Sequence, residues 1–78
     1  MFVIVMIDNW VDETKAWAYN NKEEAINALF KMYLSKADEW SAFLEEIETF
    51  ISDDGIYAQV SDGIETIEYR LAEVKGWK

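Results

Sequence analysis

The sequence predicts an α+β domain in which a four-stranded antiparallel sheet carries helical structure on one of its faces. Three observations support this: a β-branched apolar run at the N-terminus, a long stretch of helical periodicity in the middle, and an alternating hairpin pattern near the C-terminus. The 78 residues, of which 51% are hydrophobic, suffice for one small core. We therefore expect residues 1–78 to form a single α+β domain with the element order ββ-α(α)-ββ.

The N-terminal hairpin is predicted from residues 2–7 and 14–19. The first segment is an uninterrupted apolar run, which is typical of a strand at the centre of a sheet. The second segment alternates small and large side chains, and a polar loop of about four to six residues separates the two. We place the first segment as the central strand.

Residues 22–52 keep one helical phase over their whole length. Asn20 and Asn21 are each followed three residues later by Glu, which is the spacing of a helix N-cap with a capping box. An uninterrupted helix would span about 46 Å, whereas six-residue strands span about 20 Å. We therefore favour two consecutive helices with a break within residues 35–38; one long helix, which would favour a dimer, is the alternative. The apolar stripe consists of Ile26, Leu29, Phe30, Tyr33, Ala37, Trp40, Leu44, Ile47 and Ile51.

The C-terminal hairpin is predicted from its alternation around Asp62-Gly63. If these two residues form a type I′ turn, Val60 faces Glu65 and Ala58 faces Ile67. This register separates apolar from polar side chains on the two faces of the hairpin almost completely, with Ile64 and Glu65 beside the turn as the exceptions. The apolar face then contains Ile56, Ala58, Val60, Ile67, Tyr69 and Leu71.

Catalytic chemistry finds little support in these residues. Cysteine and histidine are absent, which removes disulfides, Cys/His zinc sites and every triad built on His or Cys. The acidic pair Asp53-Asp54 lacks the spacing of a calcium loop, and no glycine-rich phosphate loop occurs. We expect no enzyme, no catalytic residue, no metal and no cofactor.

The apolar start is too short for a signal peptide or a membrane span, so we expect a cytoplasmic protein without membrane contact.

Charge is the most informative functional feature of the sequence. Residues 37–69 contain ten acids and neither Lys nor Arg, within a net charge of −9. On a helix, Asp38, Glu45, Glu46 and Asp53 would form one exposed ridge opposite the apolar stripe. We expect this acidic surface to bind a basic, nucleic-acid-binding site of a larger protein as a nucleic-acid mimic. The expected partner-binding residues are Asp38, Glu39, Glu45, Glu46, Asp53, Asp54, Asp62, Glu65 and Glu68.

Three tryptophans are candidate aromatic anchors for such an interface: Trp10, Trp17 and Trp77. Direct binding of DNA or RNA is disfavoured, because nucleic acid requires Lys and Arg to replace its counterions. The alternative interpretation is a small structural or assembly protein that self-associates through a helix or a sheet edge as a homodimer. In that case the acids serve solubility.

The layout also resembles a known group of proteins. A strand hairpin, the helix start Asn21-Lys22-Glu23-Glu24-Ala25-Ile26, an acidic segment and a terminal hairpin around Ser61-Asp62-Gly63 follow one another. In this order and size the chain resembles small acidic phage and prophage proteins, among them anti-CRISPR and other anti-defence inhibitors. The resemblance implies a non-enzymatic inhibitor that blocks a nucleic-acid-handling complex by contact, in the host cytoplasm if a phage encodes it.

Overall fold

The computed structural model describes residues 1–75 and places one helix against one face of a five-stranded antiparallel sheet. The predicted α+β class is confirmed. The sheet has five strands, whereas four were predicted. Along the chain the elements are β1 (Phe2–Asp8), β2 (Glu13–Tyr19), α1 (Lys22–Ser41), β3 (Glu48–Ile51), β4 (Tyr57–Ser61) and β5 (Thr66–Glu73).

The strands lie in the order β2-β1-β5-β4-β3. The N-terminal hairpin forms as predicted, with Phe2 opposite Tyr19 and Asp8 opposite Glu13. The placement of the first strand at the centre was wrong, because β5 occupies the middle of the sheet and β1 lies between β5 and the edge strand β2. The alternate residues Ile4, Met6 and Asp8 are buried under the helix, and the intervening residues of β1 face the other side.

Helix α1 begins where the capping pattern predicts. The side-chain oxygen of Asn21 accepts hydrogen bonds from the backbone N–H groups of Glu23 (2.8 Å) and Glu24 (3.1 Å). These bonds satisfy two of the donors that a helix start leaves without partners. The helix then runs without interruption through residues 35–38, so the predicted break there was wrong, and it ends at Ser41.

Replacing Asn21 with alanine is expected to lower the free energy of unfolding by about 1 kcal/mol, because both capped donors lose their protein acceptor. Asn20 provides a matched control, since it is exposed and immediately precedes the cap. We expect Asn20→Ala to change the stability by much less. Urea denaturation followed by circular dichroism measures both, and equal losses would show that the cap contributes nothing.

The predicted extension of the helical region to residue 52 was also wrong, since residues 48–51 form the edge strand β3. Two adjacent acids, Glu45 and Glu46, follow the last helical turn, and negative charge at a helix C-terminus opposes the helix dipole. Thr49, Phe50 and Ile51 are β-branched or aromatic residues that suit a strand. Backbone pairing of Thr49 with Val60 and of Ile51 with Ala58 joins this segment to β4.

The C-terminal hairpin forms with the predicted faces but a different register. Ser61 pairs with Thr66 and Val60 with Ile67, so the connection is a four-residue turn rather than the two-residue turn assumed. The side chain of Asp62 explains the longer turn, because it accepts from the N–H groups of Ile64 (2.9 Å) and Glu65 (2.7 Å). A shift of two residues preserves which face each side chain occupies.

The core lies between α1 and the face of the sheet that carries the even-numbered residues of β1. Ile4, Leu29 and Val60 are the largest fully buried side chains. Partly buried hydrophobic residues, including Trp17 and Trp40, pack around them. The opposite face of the sheet carries Val3, Val5 and Ala16, and no other described element covers it.

Candidate functional site

One end of the sheet collects carboxylates from four separate parts of the chain. The residues 42–47, β3 and the β4–β5 turn bring Glu45, Glu46, Glu48 and Asp62 around one open cavity of about 470 Å³. Glu65 belongs to the same turn and interacts with Asp8 at the end of β1. We call this end of the molecule the acidic end; its carboxylates are Asp8, Glu45, Glu46, Glu48, Asp62 and Glu65, and the exposed side chains of Trp10 and Ile64 belong to the same surface.

The surrounding backbone adds to the negative potential of the acidic end. Helix α1 finishes four residues before Glu45, its last turn contains no basic residue, and a helix C-terminus carries partial negative charge. The nearest lysine on the helix, Lys36, lies 3.5 Å from Glu39 and is engaged there. None of the ion pairs among residues 1–75 involves a carboxylate of the acidic end. Negative charge at this end is therefore not offset by an ion pair within the described residues.

The two loops at this end are fixed to each other by hydrogen bonds. Asn9 accepts from the N–H of Thr66 through its side chain (2.6 Å) and donates its own N–H to the Thr66 carbonyl (3.2 Å). Asp8 accepts from the N–H of Trp10 (3.0 Å). The β1–β2 loop that carries Trp10 is thus held beside the β4–β5 turn.

Large apolar side chains stand exposed among the acids. Trp10 is 65% exposed and Ile64 is 70% exposed, and both line a depression of about 260 Å³ together with Asp62 and Glu65. Phe43, which is 83% exposed, lies two residues before Glu45. Exposed aromatic residues beside charged groups are a composition typical of protein interfaces.

The predicted partner-binding residues fall into several groups. The structure brings together Glu45, Glu46, Asp62 and Glu65, but the predicted helical ridge does not exist, because only Asp38 of its four members is helical. Asp53 and Asp54 lie at the opposite end of the sheet, where Asp54 accepts from the hydroxyl of Ser52 (2.7 Å).

The remaining predicted residues have other surroundings. Asp38 is exposed on the helix, and Glu39 pairs with Lys36. Glu68 lies on the uncovered face of the sheet, where it accepts from the Tyr57 hydroxyl (2.9 Å) and pairs with Arg70 (3.4 Å).

Among the candidate anchors, Trp10 lies at the acidic end, Trp17 packs against the rim of the core, and Trp77 lies outside the described residues.

The predicted site omitted two residues of the acidic end, Asp8 and Glu48. Glu48 could have been included as the neighbour of Glu45 and Glu46 in the sequence. Asp8 could not, because only the pairing of β1 with β5 brings it opposite Ile67 and near the turn.

Two carboxyl groups of the acidic end have pKa values shifted in opposite directions. Burial, followed by a hydrogen bond with Asp8 and its negative charge, raises the pKa of Glu65 above 4.5. Hydrogen bonds from the N–H groups of Ile64 and Glu65 lower the pKa of Asp62 below 3.8. Ionisation of Glu65 therefore opposes folding, whereas ionisation of Asp62 favours it.

Replacing Glu65 with glutamine is expected to raise the melting temperature at pH 7. The folded state binds the Glu65 proton more tightly than the unfolded chain does. The protonated carboxyl therefore stabilises the fold fully below pH 4.5, and this stabilisation is lost as the pH rises through the pKa of the folded state. The advantage of Glu65→Gln should therefore vanish in acid.

Asp62→Asn supplies the control with the opposite sign, because the stability from ionised Asp62 is present above 3.8 and is lost as the pH falls. This variant should melt at a lower temperature than the wild type at pH 7 and approach it in acid. Melting curves from pH 3 to pH 8 measure both variants. A shift of the same sign for both at pH 7 would contradict the assignment.

Within residues 1–75 no three Asp or Glu side chains are grouped closely enough to hold a metal ion. In the same part of the chain, no helix combines the length and the apolar character needed to cross a membrane. No protein-family model matches the sequence, and neither a curated protein nor a solved structure is significantly similar to it.

Proposed function

We propose that this protein is a non-enzymatic interaction protein whose acidic end binds a basic site of a larger protein. The target is a site that normally holds nucleic acid, so the bound protein acts as an inhibitor in the manner of the anti-defence proteins that its layout resembles. We expect this to take place in the cytoplasm, that of the host if a phage encodes the chain.

The observation that carries the proposal is the meeting of carboxylates and exposed apolar side chains on one fixed surface. Exposed ion pairs contribute little net affinity and mainly accelerate and orient association. Trp10 and Ile64 can supply the missing affinity, since aromatic residues at the centre of an interface often dominate its energetics. The acidic end thus offers both the attraction and the anchor.

A nucleic-acid-binding site is the partner whose chemistry fits best. Such sites present Lys and Arg side chains toward phosphate oxygens. Carboxylate oxygens carry the same sign of charge and accept the same charge-assisted hydrogen bonds. Four carboxylates around one cavity can occupy several of these cationic groups at once.

The alternative function, a self-associating assembly protein, is favoured by a different observation, the uncovered edge of β2. In that function the acidic end would provide solubility only, and its exposed Trp10 would have no role. The two functions differ in whether a foreign protein is bound and whether nucleic acid competes for it.

A capture experiment tests the proposal. The protein is immobilised through its C-terminus, incubated with a lysate of the source cells at low salt, and eluted first with short duplex DNA or RNA and then with high salt. We expect a nucleic-acid-binding protein that the nucleic acid releases, because both compete for one basic site. Capture of no protein that nucleic acid can displace would reject the proposal.

A further inference from the structure

The two edges of the sheet are protected very differently. The edge strand β3 has four residues, and acids flank it on both sides at Glu45, Glu46, Asp53 and Asp54. The edge strand β2 has seven residues and contains only two charged side chains, Glu13 and Lys15, of opposite sign. Negative charge therefore surrounds the edge strand β3, whereas the charged side chains of the edge strand β2 sum to zero.

The outer side of β2 presents backbone donors and acceptors to which no described residue pairs. Natural proteins usually block such an edge with proline, a bulge, or charged side chains, above all lysine. The one lysine of β2, Lys15, lies 3.8 Å from Glu13 of the same strand, so its charge is balanced there. The chain contains no proline, and β2 pairs with β1 without a bulge over all seven positions. This edge is a regular template for one more antiparallel strand.

A depression of about 240 Å³ adjoins this edge under the helix. It is lined by Lys15 and Trp17 of β2, by Met6, Met32 and Tyr69, and by the polar helix residues Ser35, Lys36 and Glu39. The thioethers and the aromatic ring give the depression an adaptable apolar part, and the Lys36–Glu39 ion pair gives it a charged part. A side chain that crosses the outer edge of β2 on this face could therefore be buried.

We propose that β2 pairs with β2 of a second copy of this chain, around a two-fold axis that passes Ala16. The two sheets then form one continuous antiparallel sheet. In this register Ala16 lies opposite Ala16, Thr14 opposite Ala18, Lys15 opposite Trp17, and Glu13 opposite Tyr19. The Trp17 ring of each copy lies beside Lys15 and the depression of the other copy.

The register follows from length and charge. Only an axis at Ala16 lets all seven residues of β2 find partners within the strand of the second copy. An axis at Lys15 would place two lysines directly opposite each other, which is destabilising. An axis at Thr14 would restrict the pairing to residues 13–15. The Ala16 register opposes no like charges and places a cation beside an aromatic ring.

The proposed dimer is compatible with binding at the acidic end but does not depend on it. Glu13 pairs with Asp8, so β2 begins at the acidic end, and antiparallel pairing directs the two acidic ends away from each other. Their mutual repulsion is small beyond the screening length. Each copy can then bind its own partner.

Sedimentation equilibrium of the purified protein, from micromolar to millimolar concentration, tests the proposal together with two variants. We expect the wild type to form a dimer, twice the 9.1 kDa of one chain. The Ala16→Arg variant should be monomeric, because in the dimer the two substituted arginines would lie directly opposite each other and repel. Ala72→Arg is the matched control, since Ala72 is exposed on the same face but lies in β5. It should leave the dimer intact.

A cysteine cross-link provides a second measurement that does not depend on the arginine variant folding. The chain has no cysteine of its own. Across the proposed axis the Cα atoms of residue 16 lie about 5 Å apart, within disulfide range, whereas those of residue 18 lie about 14 Å apart. Oxidation should link Ala16→Cys into dimers and leave Ala18→Cys unlinked.

The possible outcomes separate the proposal from its competitors. A wild type that stays monomeric at every concentration overturns it. A dimer that Ala72→Arg disrupts and Ala16→Arg does not would place the interface on the uncovered sheet face, which also overturns it. Equal cross-linking of the two cysteine variants would reject the register.

Discussion

Reversing Glu45, Glu46 and Glu48 to lysine is expected to weaken binding of the basic partner by at least about 100-fold. All three carboxylates line the cavity of the acidic end, and none makes a side-chain hydrogen bond or ion pair with another described residue. Their reversal replaces attraction by repulsion without removing a contact that holds the fold. Relief of like-charge repulsion should leave the melting temperature unchanged or slightly higher.

The matched control reverses Glu24, Asp53 and Glu73, three exposed acids at the other end of the sheet. In both variants the formal net charge rises from −9 by the same amount, so general electrostatics are equal. We expect the control to retain most of the affinity. Titration calorimetry or surface plasmon resonance against the captured partner measures both, and equal weakening would assign the effect to net charge rather than to the acidic end.

Replacing Leu29 with alanine is expected to have the largest effect on folding. Leu29 is fully buried at the middle of α1 and belongs to the core cluster with Ile4 and Val60. Removing a buried leucine side chain costs about 2–5 kcal/mol through lost burial and the cavity left behind. A domain of this length has a total stability of about 4–12 kcal/mol, so much of it would be lost.

Leu34 is a suitable control for Leu29, because it lies in the same helix and is 42% exposed. We expect Leu34→Ala to cost less than about 1.5 kcal/mol, since little cavity forms at a half-exposed site. Urea denaturation of both variants gives the difference. If the two losses were equal, α1 would not be packed on the sheet through Leu29.

The separation of Asp53 from Glu45 and Glu46 changes how charge and function are connected in this protein. Placed on one helix, these residues would have formed a ridge with no apolar neighbour. In the folded chain, Glu45 and Glu46 instead lie near Asp62, and Trp10 is exposed beside Asp62. The surface that we propose for a partner is therefore smaller than the acidic segment of the sequence, and it includes the exposed Trp10.

The proposed pairing of β2 would give Trp17 a role that the isolated chain does not show. In one copy its ring packs at the rim of the core and borders an open depression. In the dimer each Trp17 would cover the depression of the other copy. Two tryptophans predicted as anchors would then serve two different interfaces, Trp10 a foreign protein and Trp17 a second copy.

Local features were determined by the sequence alone. Alternation within residues 57–61 and 66–71 assigned the buried face of the hairpin correctly, because side chains in a strand alternate strictly and a register error of two residues does not change the face. Asn21 determined the helix start, because a cap depends on neighbours only two and three residues away. The concentration of acid in residues 37–69 is likewise a property of the chain itself.

Only the tertiary structure decided that residues 42–52 form a loop and an edge strand rather than a continuation of the helix. Ile47 and Ile51 fit the helical stripe, but both also pack against the core from a loop and a strand. The outer edge of β4 offers backbone hydrogen bonds to residues 48–51, and no pattern within the segment reveals that this edge is available. The same holds for Asp8, which reaches the acidic end through strand pairing. Long-range pairing decides such cases because its partners are distant in sequence.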